Sequence, residues 1–307
     1  MSKPNLVLFR DLIKPVNDTK RRLVEIETEL QSPTTPLVQQ SLFAFAFATF
    51  EIMTNDVLKY ILLKFPQKIC TREFKIPKEF IVNTTDINSL LDLEIEKVVQ
   101  SLAYKNLTDY IQDFCSITAI NNFEEDILDQ LIERKATRNL LLHNNLVVNH
   151  RYNETSGRLR RTPDYGEKLL LNLPYIVSTI DFLKTAINII EQGLTDKYSD
   201  YTKVKALKSL WEHLFNSPVM NFDDYWDYSN DSIIRFKYSE RKDTIENCLS
   251  GSERTILALW LIHFNSSLHD IFVGTDFLTY TLDDKRKQDL LYLLSLITND
   301  PELFKTP

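Results

Sequence analysis

Glycine occurs only five times in 307 residues. Rossmann fingerprints and P-loops each use several glycines to bring backbone against phosphate, so both are excluded, and helices are favoured over turn-rich β architecture. Cysteine is sparser still. Cys70, Cys115 and Cys248 are odd in number, far apart and without C-x-x-C spacing, which excludes a disulfide framework or zinc module and reads as reduced, mostly buried thiols. Long hydrophobic runs are missing too. The most apolar stretch, residues 42–53, is interrupted by Thr49 and Glu51 and is short for a bilayer span. Residues 1–5 lead into no signal-peptide core. We therefore expect a soluble, cytoplasmic chain with no membrane partner.

What is present is globular composition, 43% hydrophobic and 26% charged, enough for a large core in roughly two domains. The formal charge of -7, from 36 basic and 43 acidic side chains, argues against a surface coated in basic groups for nucleic acid or anionic lipid. Residues 5–31 read as one or two short helices, and Ser32-Pro33-Thr34-Thr35-Pro36 then breaks the pattern. A long helix over 37–64 carries Phe43, Phe47 and Phe50 on one face. It is apolar nearly all round, so its first half should be covered by other helices or a second subunit.

Residues 66–83 read as a loop, and further helices are expected over 89–117, 123–143 and from Pro174 to about Gly193. Between the last two, Asn153-Glu154-Thr155-Ser156-Gly157 marks a small hairpin-like excursion. Helices near 204–215, 250–264 and 285–298, with a lone strand over 233–238, complete the pattern. The fold class is all-α. We divide it into an N-terminal helical arm (1–36), a helical bundle (37–195) and a mainly helical C-terminal accessory domain (196–307).

The chemistry concentrates in the helix over 123–143. Lys135, Asn139 and His143 fall at i, i+4 and i+8 on one face, with Arg134 and Arg138 stacked beside them. From 134 to 168 there are eight basic residues (Arg134, Lys135, Arg138, Arg151, Arg158, Arg160, Arg161 and Lys168) against Glu154, Asp164 and Glu167. That local balance of +5 leaves -12 for the rest of the chain, the footprint of a localised polyanion site. Such a set suits cleavage of a phosphodiester by its neighbouring 2'-hydroxyl. A neutral His takes the 2'-OH proton, and an Arg holds the non-bridging oxygens and stabilises their developing charge. No cofactor or metal is called for, and no residue cluster has ligand spacing. One His cannot serve both ends of an in-line displacement, so a second group or a second copy of the site is needed.

Arg138-Asn139-Leu140-Leu141-Leu142-His143 resembles the R-x(4–6)-H motif of HEPN domains (higher eukaryotes and prokaryotes nucleotide-binding), including the polar residue after the Arg and the Asn after the His. The resemblance spans roughly residues 37–195. It implies an α-helical bundle that homodimerises around a composite ribonuclease site, as in metal-independent toxins and antiviral or abortive-infection effectors. Under it, Arg138 and His143 are catalytic and Asn139 supports them. Glu51 resembles the acidic residue some HEPN groups place in the first helix. RNA is the expected partner, along Arg134, Lys135, Asn144, His150, Arg151, Arg158, Arg160 and Arg161, with an antitoxin or regulatory partner in addition. The other class of function is a non-catalytic helical module that binds RNA or protein.

Two further features have plainer readings. Leu249-Ser250-Gly251-Ser252-Glu253 looks like an ABC-type ATPase signature, but no Walker A accompanies it and Ser250-x-x-Glu253 is a capping box. The aromatic, acidic run over 221–228 reads as a loop packed on helices, with docking of a basic partner or mimicry of RNA as alternatives.

Overall fold

Thr35 opens the helix on which the bundle is assembled. Its extended backbone and its hydroxyl, accepting from the Val38 N–H, cap helix α2 (Pro36–Lys64), with Pro36 in the first turn where its missing N–H costs nothing. This computed structural model describes residues 7–69, 87–161, 164–215, 218–229 and 233–237, with single positions at 248, 250, 253 and 257. The chain divides into two compact units, Phe9–Ser199 and Met1–Leu8 with Asp200–Pro307.

In the first unit α2 is the hub. It packs against α1 (Phe9–Gln31), α3 (Ile87–Ala103), α4 (Leu107–Thr118), α5 (Glu125–Asn144) and α7 (Leu173–Tyr198). Phe43, Ala46, Phe47, Phe50, Met53, Val57, Leu58, Ile61 and Leu62 are all buried along it. Each large side chain taken out of water stabilises the unit by about 1.5–3 kcal/mol. The covering is one-sided, however: Leu37, Val38, Phe45 and Ile52 stay exposed. By length and composition α2 and the stretch Leu173–Leu214 would each suffice for a bilayer span, and each buries part of its apolar surface inside the fold.

Several expectations change. The N-terminal arm is one helix, α1, and belongs to the bundle. Leu12, Val16, Thr19, Leu23, Ile26 and Leu30 alternate at spacings of four and three along its buried stripe. Lys20–Glu191 (2.7 Å) and Lys184–Glu27 (2.6 Å) tie α1 to α7. The helix expected over 89–117 is broken into α3 and α4, because Asn106 caps α4 by accepting from the Asp109 N–H at 2.9 Å. Gly193 does not end α7, which runs on to Tyr198. It lets α7 approach the α4–α5 connection, since a Cβ there would sit 3.0 Å from the Cβ of Ile120. Among the described residues, the excursion after α5 contains no pair of strands. A short helix, α6 (His150–Thr155), is closed off by one antiparallel bridge, Val147 to Lys168. Leu146, Val148, Tyr152 and Leu169 seat it on Ala136 and Leu140 of α5.

In the second unit, α8 (Lys203–Leu214) presents Trp211 to Phe215, Phe222, Tyr225 and Trp226, with ring centroids 4.5–6.1 Å apart. Phe222 to Tyr225 form the one-turn helix α9, and Trp226–Ser229 (β1) pairs antiparallel with Ile233–Phe236 (β2). The expected lone strand therefore has a partner, and the aromatic run packs as a core. Ser250 and Glu253 exchange capping-box bonds, Ser250 N–H to Glu253 at 2.8 Å and Glu253 N–H to the Ser250 hydroxyl at 3.3 Å. Apart from positions 250, 253 and 257, the helices expected over 250–264 and 285–298 lie outside the described residues, as does the expected loop beyond residue 69.

Candidate functional site

Helix α5 carries the motif, and its two ends explain its placement. Glu125 and Asp126 occupy the first turn, where the helix dipole favours negative charge. At the other end Asn145 adopts a left-handed conformation (φ 47°), so that the Leu146 N–H returns to the Leu140 carbonyl at 3.1 Å. Asn144 donates to the Val147 carbonyl and stitches this turn. His143 thus lies in the last turn, exposed and without a partner among the described residues.

Arg138 points the other way, to α2. Its guanidinium donates to the Glu51 carboxylate, which also receives Lys135 Nζ at 3.2 Å. The same guanidinium lies 5.9 Å from the centroid of Phe47, and its Nε is buried without a partner among the described residues. The Arg138 side chain is 13% exposed and Glu51 34%, so water screens this pair only partly. Beside it is a cavity of about 140 Å³, lined by Phe47, Phe50, Leu131 and Leu107 with Glu51, Asn55 and Lys135 among its polar groups. At its base the Tyr110 hydroxyl lies 2.7 Å from the Thr54 hydroxyl and 2.9 Å from the Asn55 amide oxygen. Burial pushes the Tyr110 phenol well above its ordinary range, and Glu51 adds to that.

Glu51, Lys135 and Arg138, singled out from sequence, are therefore brought together, and Asn139 is half-buried on the same helix. The basic residues do not all face one way. Arg158 turns back to the start of α5, with Nε 2.6 Å from Asp129 and a second contact of 3.0 Å to Glu125. Lys135, Arg138 and Arg158 are thus neutralised by Glu51, Glu125 and Asp129, none of which lies within 134–168. The +5 balance holds along the chain and not in space. Arg151 and Arg160 remain exposed, as does His150, whose ring centroid lies 4.5 Å from that of Tyr165 at a tilt of 35°.

Arg134 and Arg161 face a different cleft. Arg134 lies 4.5 Å over the Phe182 ring and Arg161 3.9 Å over Tyr175. Burial lowers the Arg134 pKa from its ordinary value. Next to them Glu133 is buried and accepts from the hydroxyls of Thr137 (2.7 Å), Tyr175 (2.7 Å) and Tyr152 (3.4 Å). Burial, then Glu133, raises the Tyr175 phenol. Sequence reasoning missed Glu133, Tyr152 and Tyr175 as a cluster. Two tyrosines distant in sequence carry no signal that they converge on one carboxylate. Among the described residues no three His, Cys, Asp or Glu side chains are placed to hold a metal ion. Compared with known proteins, the chain matches no family model, no curated sequence and no solved structure.

Proposed function

We propose that the chain is a metal-independent endoribonuclease of HEPN type, a cytoplasmic toxin or antiviral effector that leaves 2',3'-cyclic phosphate and 5'-hydroxyl ends. One observation carries the reading: the motif residue Arg138 is held by Glu51, the acidic residue the resemblance singled out in another helix. A guanidinium anchored on one side by a carboxylate and on one face by Phe47 keeps its remaining donors in a fixed direction. That preorganisation suits a clamp on the non-bridging oxygens, whose charge grows in the transition state. His143, exposed at the end of the helix, is free to exchange a proton as general base or acid.

Arg138 and His143 are five residues apart, about 140° around a helix, so one copy does not aim both at one phosphate. A second copy completes the site in this proposal, His143 of one serving the phosphate clamped by Arg138 of the other. Val38, Phe45 and Ile52, exposed at spacings of seven along α2, supply an apolar stripe for such a partner. RNA reaches the site past the exposed Arg151 and Arg160, and an antitoxin or regulatory partner restrains it. Pure protein incubated with structured RNA and EDTA should cleave it, and His143→Ala and Arg138→Ala should each abolish scission. Cleavage that persists in both variants overturns the assignment, and RNA binding without scission in the native protein favours a non-catalytic helical module.

A further inference from the structure

The cavity between α2, α4 and α5 has no part in the cleavage proposed above, and its lining is sorted by polarity. Phe47, Phe50 and Leu131 are almost wholly buried and make an apolar floor. Glu51 and Lys135 are its charged lining. They are 34% and 22% exposed, and with the exposed Ala103 they mark the open side. The polar groups set deeper are bonded among themselves. The Thr54 hydroxyl donates to the Glu51 carbonyl at 3.0 Å, and the Tyr110 hydroxyl lies within bonding distance of Thr54 and Asn55. The floor therefore demands no polar partner of a guest. At about 140 Å³ the space is close to the roughly 150 Å³ of apolar cavity that admits a benzene ring.

The two rim charges are of opposite sign and adjacent. Lys135 Nζ lies 3.2 Å from Glu51 Oε1, while Arg138 takes Oε2 of the same carboxylate. A guest with one charge satisfies one of the pair and repels the other. A guest that carries both signs on a single carbon meets both. Its ammonium takes Oε1 in place of Lys135, its carboxylate receives the freed Lys135, and Arg138 keeps Oε2. The exchange costs little, because a partly exposed ion pair is held only weakly. We propose that this cavity binds a free aliphatic α-amino acid of about leucine size, its side chain on Phe47, Phe50 and Leu131 and its two charges on Glu51 and Lys135. An apolar pocket with a few convergent polar groups is the usual form of a small-molecule site. Burying the side chain supplies the affinity, and the rim pair selects for the zwitterion. The inference does not rest on the ribonuclease reading, since binding is measured on the protein alone.

Titration calorimetry on the full chain tests it with L-leucine and three analogues. N-acetylleucine keeps the side chain and carboxylate without the cation, leucinamide keeps the cation without the carboxylate, and glycine keeps both charges without the side chain. Leucine should bind, and each analogue should bind about tenfold or more weakly. Lys135→Gln should weaken leucine about tenfold without weakening leucinamide, because only the carboxylate uses Lys135. Glu51→Gln should weaken leucine without weakening N-acetylleucine. Should a charge variant fail to fold, Ala103→Trp, at an exposed position of the rim, obstructs the cavity and should abolish binding. Equal affinity for leucine, leucinamide and N-acetylleucine reduces the site to a plain apolar pocket and overturns the proposal. So does silence with millimolar leucine, or native affinity in the folded variants. His143 does not line the cavity, so His143→Ala should bind leucine as the native chain does, and loss of cleavage and loss of this site are read separately.

Discussion

Adjacent turns of one helix meet two different environments in this protein. Arg138 and Arg134, four residues apart on α5, are chemically the same group on nearly the same face. Arg138 finds a carboxylate, Glu51, supplied by α2. Arg134 finds an aromatic ring, Phe182, supplied by α7, and makes no ion pair among the described residues, although the charge of Glu133 acts on it. The nearest glutamate to Arg134 in sequence, Glu133, is turned into the core onto three hydroxyls. A count of charges along a helix therefore says little about which charges are available to a ligand. Availability depends on what the neighbouring helices bring to each turn.

On the proposed ribonuclease reading, the largest effect expected on this contrast is on RNA scission. Arg138→Ala and His143→Ala should each lower cleavage at least about a hundredfold, whereas Arg134→Ala should lower it far less. Equal losses at 134 and 138 would merge the two environments into one site. Next comes stability. Glu133→Ala strands buried hydroxyls and opens a cavity, so urea denaturation should show a loss of about 3 kcal/mol. Glu51→Ala, at a third-exposed carboxylate, should cost about 1 kcal/mol.

Glu51→Gln sharpens the comparison further. It should lower kcat about tenfold while the denaturation midpoint stays near native, because Glu51 positions Arg138 without supporting the core. The pH dependence concerns both environments, since Tyr110 lies beside Glu51 and Tyr175 beside Glu133, and burial raises both phenols. A phenol held above its ordinary pKa of about 10 contributes stability that is complete below that pH and is lost as pH rises above it. The melting temperature should hold level to about pH 9 and fall above pH 10, and Tyr110→Phe should make that fall shallower. The smallest effect belongs to the bundle's rim: breaking Lys20–Glu191 should cost less than about 1 kcal/mol in a double-mutant cycle.

Much of the helical layout was legible in the sequence. The break over 32–36, the capping box at Ser250 and the dense periodicity over 37–64 are local signals, and local signals act through the backbone within a few residues. The break between α3 and α4 was legible in principle, since Asn106 stands three residues before Asp109, but Tyr104-Lys105-Asn106 contains no glycine or proline to draw notice. Gly193 misleads in the opposite sense. It sits where a helix stop is expected, yet its missing side chain serves the approach of Ile120. Glu51 and Arg138 were each singled out from the sequence, and the fold brings these two together. The partners of Arg158 and Arg134 were not legible, because Asp129 and Phe182 meet them only in the fold.

The scarcity of glycine, the mainly helical character and the Arg-Asn-Leu-Leu-Leu-His run are properties of the sequence alone. They depend on residue type and on spacing within a helical turn or two. Which arginine is neutralised, which is stacked, and which carboxylate is buried were decided by the tertiary structure. The Coulomb interaction depends on distance in space and on the water between the charges, and neither is set until α2, α5 and α7 pack together.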